Sequence, residues 1–315
     1  MIGLTIRQMR YFDALARHGH FGRAADASAI SQPALSVQIK EMEALLGRQL
    51  VERAARQVRL TTFGEEVLLR VRDILRAVDE LGDLARAAPS GLSGRLRLGV
   101  IPTVAPYLLP RLVAAVTRSY PALDLDVRET ITPRLLDELA EGRLDTAIVA
   151  LPVSEPTLSE VPLFDEAFVL VRPEAEAGDP MPAPDQLSRM RLLLLEEGHC
   201  FRDQALSFCT MPTARPRHGL DGSALSTLVQ MVGAGLGVTL IPEMAVPVET
   251  RSAPVAVSHF PEPQPRRTVG MIWRRSTPLA AQLDGLAGVI RQAVAPGEAP
   301  CPPTPRTTGT SDEGP

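Results

Sequence analysis

Seven short apolar runs recur between residues 95 and 273: Arg95 to Ile101, Leu123 to Arg128, Thr146 to Leu151, Phe168 to Arg172, Arg191 to Leu195, Gly237 to Ile241 and Val269 to Trp273. Stretches with helical spacing separate them. Strand–helix alternation leaves few folds open, and it points to α/β layers with parallel strands joined by crossover helices. About 200 residues suffice for two lobes of roughly 100 each. Open α/β sheets bind ligands at the carboxyl ends of their strands. Thr103 and Thr132 each follow a strand and precede a helix. Each therefore has two readings, a ligand-facing hydroxyl or a plain N-cap, with Pro133 suited to a first helical turn.

The first 60 residues follow another pattern. Ile6, Met9, Phe12, Leu15 and Ala16 share a helical face, a small-residue helix follows over Gly22 to Ser28, and Ser31 is placed to cap a third helix. Leu35, Ile39, Met42 and Leu46 form the buried face of that helix, while Gln32, Ser36, Gln38 and Lys40 lie off it. Two short helices, the second opening with polar side chains, describe a helix-turn-helix, which presents the start of its second helix to the major groove. Leu50 to Arg53 and Val58 to Leu60 read as a β-hairpin wing whose arginines lie near phosphates. The segment holds nine Lys or Arg against five Asp or Glu, a local basic surplus in a chain of net charge −4. An ordinary helical bundle is the other reading.

Val67, Val71, Ile74, Val78, Leu81 and Ala85 alternate spacings of four and three. That seam predicts a dimerisation helix, or else a helix packed on the chain's own first module. Ala87 to Gly94 reads as a hinge. The sequence predicts four parts: 1–60 DNA-binding, 61–93 linker helix and hinge, 94–295 a two-lobed regulatory domain, and 296–315 a disordered, proline-rich tail. No run reaches 18 apolar residues, so no membrane partner is expected, and Met1 to Arg7 lacks the features of a signal peptide, so the expected location is the cytoplasm. The glycines at 233, 235 and 237 follow a helix and precede a strand, the reverse of a dinucleotide fingerprint. The five histidines are scattered and Cys301 lies alone in the tail, so no cofactor or metal is expected.

Two cysteines stand in Gly198-His199-Cys200-Phe201-Arg202-Asp203 and at Cys209. A thiol in the first turn of a helix, with Arg202 nearby, sits where the thiolate is favoured, while Glu196 and Glu197 oppose it. If residues 200 to 209 are helical, their Cα atoms lie roughly 13 Å apart. A disulfide needs them within about 7 Å. The pair closes only if the helix unfolds, which describes a switch. Two buried structural thiols are the plainer reading.

Phe21-Gly22-Arg23-Ala24-Ala25, Ser31-Gln32-Pro33-Ala34-Leu35-Ser36, Leu46-Gly47, Glu52-Arg53 and Leu60-Thr61-Thr62-Phe63-Gly64 resemble, in order and spacing, the winged helix-turn-helix of LysR-type transcriptional regulators. The resemblance implies groove contacts by Gln32, Pro33 and Ser36 and backbone contacts by Arg53 and Arg56. Val37 stands where many members carry arginine. It also implies a regulatory domain like a periplasmic binding protein, with an effector cleft between lobes that cross near residues 165 and 267. Gly99 to Thr103, Pro106 to Pro110, Gly198 to Asp203 and the cysteine spacing resemble the peroxide-sensing branch of that family. By that resemblance Cys200 is oxidised by hydrogen peroxide and Cys209 resolves it to a disulfide. Thr103, Thr132 and His199 help to bind peroxide, and Asp203 assists the exchange. The partners implied are double-stranded operator DNA, hydrogen peroxide, further copies in a homodimer or homotetramer, and RNA polymerase. The expected chain is a regulator, not an enzyme. A regulator with a small organic effector in the cleft is the alternative. A thiol peroxidase would leave the DNA module and long helix without a use, and a transport binding protein would need an export signal.

Overall fold

The computed structural model describes residues 3–53, 58–86, 92–187, 190–208 and 221–295. The expectations for Arg56, Cys209, Cys301, most of the hinge and the tail fall outside the described residues.

Three helices build the first module: α1 (Ile6–His18), α2 (Phe21–Ala27) and α3 (Gln32–Leu46). Thr5 and Gln8 close a capping box on α1: Gln8 N–H donates to Thr5 Oγ1 at 3.1 Å and Thr5 N–H donates to Gln8 Oε1 at 3.0 Å. His20 Nδ1 accepts from Gly22 N–H at 3.0 Å and caps α2, a role the sequence did not suggest for it. Ser31 caps α3 as expected. Met9, Phe12, Leu15, Leu35, Ile39 and Met42 meet in one core. The wing is the antiparallel pair β1 (Val51–Arg53) and β2 (Val58–Leu60).

Helix α4 (Thr62–Arg86) divides the expected seam. Val67 and Val71 pack into the core of the first module. Ile74 and Leu81 stay outside at 43% and 67% exposure, joined by Leu69 and Leu84. The first half of the helix thus packs on the chain's own first module, while the second half leaves its part of the seam exposed.

The regulatory region contains two cores. Around the first run β3 (Gly94–Val100), α5 (Ala105–Ser119), β4 (Leu123–Glu129), α6 (Thr132–Ala140) and β5 (Thr146–Leu151), with β3 parallel to both β4 and β5. The chain then leaves through the 16-residue strand β6 (Leu158–Pro173). Around the second core lie α7 (Pro184–Leu187), β7 (Leu194–Leu195), α8 (Cys200–Phe208), β8 (Asp221–Gly222), α9 (Leu225–Gly233), β9 (Thr239–Pro242), α10 (Val246–Glu249) and β10 (Val255–His259). Strand β11 (Arg266–Arg274) returns to the first core, and α11 (Ala280–Val294) packs there.

The expectation of parallel sheets is corrected here. β11 runs antiparallel to β5 and β6, and β9 and β10 run antiparallel to β6. A chain that crosses from one lobe to the other and comes back must lay its two crossing strands in opposite directions. The crossing falls where Glu166 faces Arg267 across the ladder. Leu163 below it belongs to the first core and Phe168 above it to the second. The run Arg191 to Leu195 forms only the two-residue β7 and an isolated parallel bridge from Leu192 to Val238.

Candidate functional site

Cys200 is the first residue of α8, and it sits between the two lobes. The cysteine is half-buried against the first core, while Phe201, Ala205 and Leu206 are buried in the second. The approach to α8 fixes this placement. Gly198 has φ of +94°, in the left-handed region, and a Cβ there would meet Ile131 Cδ1 at 2.8 Å. The left-handed backbone is what calls for glycine here.

A tight recess lies at the seam, walled by Ile101, Pro102 and Thr103 after β3, Ile131 and Thr132 at the start of α6, and His199, Cys200 and Phe201. It is closed too tightly to hold a water-sized molecule without some opening. The structure thus gathers four of the expected residues: Thr103, Thr132, His199 and Cys200.

Neither threonine is an N-cap. The caps of α5 and α6 are Val104 and Ile131, and neither side chain makes a capping bond. Thr103 is buried, and its Oγ1 accepts from Arg267 Nη1 at 2.8 Å, while its carbonyl accepts from Arg267 Nη2 at 3.0 Å. With that lone pair engaged, the hydroxyl hydrogen is left to be donated. Thr132 Oγ1 is buried with no hydrogen-bond partner among the described residues.

Arg267 was legible only as a crossing point, and its partner Glu166 was not singled out. The guanidinium is fully buried. Its Nε donates to Glu166 Oε2 at 2.8 Å, and Glu166 Oε1 accepts from Met244 N–H at 3.0 Å. Burial pushes the Glu166 pKa up, against the charge and hydrogen bonds of Arg267. The Arg267 guanidinium also lies 5.7 Å from the centroid of the Phe201 ring. That ring meets Phe168 edge-on, with centroids 5.0 Å apart.

Burial lowers the pKa of His199, with Glu196 opposing, so the imidazole is neutral near pH 7. Arg202 and Asp203 do not line the recess. Arg202 is buried and its Nη1 donates to the Leu195 carbonyl at 2.7 Å, tying the first turn of α8 to β7. Asp203 is exposed and lines a shallow groove with Phe208, Pro265 and Arg266.

Beside the recess opens a cleft of about 300 Å³ that includes Thr103, Tyr107, Glu129, His199, Ser226 and Glu249. Tyr107 Oη donates to Glu249 Oε1 at 2.6 Å. Burial and that carboxylate push the tyrosine pKa far up. On the DNA module, Gln32 and Pro33 are exposed at the start of α3, Ser36 is half-buried one turn on, and Arg53 ends β1. Among the described residues no three His, Cys, Asp or Glu side chains could hold a metal ion. No described helix is long and apolar enough to cross a membrane.

Comparison with known proteins places this geometry. Residues 6–65 match the bacterial regulatory helix-turn-helix protein model of the lysR family, and residues 89–295 match the LysR substrate binding domain. A probable hydrogen peroxide-inducible genes activator of Streptomyces viridosporus is 45% identical, over 92% of this chain and 94% of its own. Full-length OxyR from Pseudomonas aeruginosa, a cysteine-to-aspartate variant, superposes with a TM-score of 0.72 at 38% identity, over 91% of this chain and 95% of that one. The hydrogen-peroxide-bound OxyR of Corynebacterium glutamicum, a cysteine-to-serine variant, does so with a TM-score of 0.64 at 35% identity, over 92% of each chain. The winged module, the two-lobed domain and these matches across nine-tenths of the length have one meaning: the chain belongs to the LysR family of DNA-binding transcriptional regulators, in the branch of the hydrogen peroxide-inducible genes activators.

Proposed function

We propose that this chain senses hydrogen peroxide in the cytoplasm through Cys200, and that oxidation changes how a homodimer or homotetramer engages operator DNA and RNA polymerase. The observation that carries the reading is the recess at the lobe seam. Cys200 shares its walls with two buried threonine hydroxyls and a neutral imidazole.

The Cys200 thiolate attacks one oxygen of HOOH. An S–O bond forms as the O–O bond breaks, giving a sulfenic acid and a hydroxide that takes up a proton to become water. Thr103 donates its spare hydrogen to the peroxide, since Arg267 already engages its lone pair. Thr132 Oγ1 supplies a second hydrogen-bonding group and His199 a third, as acceptor at one ring nitrogen or donor at the other. Peroxide enters only as the recess opens, since at rest it is too tight for a water-sized molecule. The Cys209 thiol then displaces water from the sulfenic acid, forming the disulfide. While α8 holds its nine residues in a helix that bond cannot close, so the helix unwinds. Arg202 sets the strength of that helix's anchor on Leu195, and Asp203 assists the exchange from the outer face once the turn opens. Gln32, Pro33 and Ser36 contact bases, and Arg53 and Arg56 contact phosphates.

Mass spectrometry after sub-stoichiometric peroxide is expected to find a Cys200–Cys209 linkage. The adjoining cleft, with Glu129 and Glu249 on its walls, supports the other reading, a small organic effector. If a small organic ligand raises the melting temperature while Cys200→Ser leaves regulation intact, the thiol switch is wrong and the effector reading stands.

A further inference from the structure

The face of α3 that looks away from the protein is apolar where it has to meet base edges. Leu35, Ile39 and Met42 form the buried side of the helix. With 3.6 residues per turn, Val37 projects about 200° and Pro33 about 160° from Leu35. Both therefore lie opposite the core. Val37 is 51% exposed, and Pro33 and Ala34 are exposed beside it. Isolated exposed valines are ordinary. This one continues a ridge through the first two turns of the helix that a DNA-binding module turns toward the groove.

The polar neighbours do not fill the gap. Gln38 Nε2 donates to Glu41 Oε2 at 2.8 Å, within the helix. Gln32 projects only about 60° from the buried face, to the side of the ridge. Ser36 lies about 100° from Leu35, on the flank, and Lys40 reaches the outward face only in the third turn, so the middle of the first two turns, at Pro33 and Val37, offers neither donor nor acceptor. Of the groups that base pairs show in the major groove, one is apolar, the C5-methyl of thymine. Any other base would lose water from a donor or acceptor that valine cannot replace. Valine is also stiff at χ1, so its two methyl groups are held in place at little entropic cost.

We propose that Val37, with Pro33 beside it, is a specificity-determining residue that selects thymine through its C5-methyl at one position in each half-site. The proposal rests on α3 being the groove-reading helix. The full-length chain would first select its site from a pool of random duplexes. Each thymine of the selected duplex would then be replaced singly by deoxyuridine, which pairs identically and lacks only the methyl. One thymine per half-site is expected to lose about fourfold in affinity, the worth of one buried methyl, about 0.8 kcal/mol. Val37→Ala should shrink that loss below about twofold, and Val37→Arg should move the preference at that position to guanine. A selected site without a fixed thymine in each half, or a deoxyuridine penalty equal in the wild type and Val37→Ala, overturns the proposal. Failure to select any site would overturn the DNA reading of α3 along with it.

Discussion

A buried hydroxyl without a hydrogen-bond partner costs a protein about 1–3 kcal/mol, and Thr132 Oγ1 has none among the described residues. A residue kept at such a cost is a marker of function. Thr132→Val keeps the shape and removes the hydroxyl, so stability should hold or rise. Oxidation of Cys200 by peroxide should slow by about 10²-fold, the worth of a positioned donor in an enclosed site. Thermal melting and stopped-flow thiol consumption would read the two effects, and an unchanged oxidation rate would remove Thr132 from the site. His199 makes a second test. Its folded pKa lies below the ordinary 6.5, so the unfolded chain takes up the proton first as the pH falls. The neutral ring's contribution is complete above about pH 6.5 and is lost as the pH falls through the folded value. His199→Asn should therefore flatten the fall in unfolding free energy below pH 6.5, measured by denaturant titration; parallel profiles would mean that His199 is not buried neutral. Strand ends and helix starts made Thr103 and Thr132 legible from the sequence. Arg267 and Glu166 were not, because a buried ion pair 101 residues apart leaves no local pattern.

Elements with a strong period were read well and elements at crossings were not. The apolar face of α3 and the strands β3, β4 and β5 follow the sequence pattern closely. The first half of β6 was missed because Glu160, Asp165 and Glu166 interrupt its apolar run, and those carboxylates have uses that only the folded chain reveals. In α4 the seam was visible but its split was not. The choice between packing inward and staying exposed depends on how the wing folds back on the helix. Gly64 makes this close approach: a Cβ there would come 2.1 Å from the Leu50 carbonyl oxygen. The second half of the helix leaves Ile74, Leu81 and Leu84 in water. A row of apolar side chains at spacings of seven and three suits the same row on another copy. Leu81→Glu would place a charge in that seam. Sedimentation at micromolar concentration should then shift toward the monomer while the chain stays folded, and an unshifted profile would move the subunit contact elsewhere.

Across the whole molecule, a continuous path of bonded groups runs from the recess to the DNA module. Helix α6 starts at Thr132, on the wall of the recess, and nine residues give it a length of about 13 Å. Just past its far end, Glu141 Oε1 pairs with Arg72 Nη1 of α4 at 2.8 Å. The same guanidinium pairs through Nε with Asp13 of α1 at 3.0 Å. Arg76 Nη1 donates to the Ala140 carbonyl at 3.1 Å, so α4 grips the end of α6 in two places. These groups are only partly screened from water, with side-chain exposures of 27% for Arg72, 15% for Asp13 and 20% for Glu141. A shift of α6 when Cys200 reacts would therefore be felt at α4 through Arg72 and Arg76, and directly at α1 through Arg72. Spatial continuity does not by itself establish coupling; the measure is a change in one site's response when the link is cut. Glu141→Gln removes the charge and leaves the recess untouched. Peroxide should oxidise Cys200 in this variant at the wild-type rate. The ratio of DNA affinities between reduced and oxidised forms should fall at least about fivefold, the lower end of ordinary allosteric coupling. A ratio equal to the wild type would mean that the signal reaches DNA through the subunit arrangement alone, with α6 a bystander.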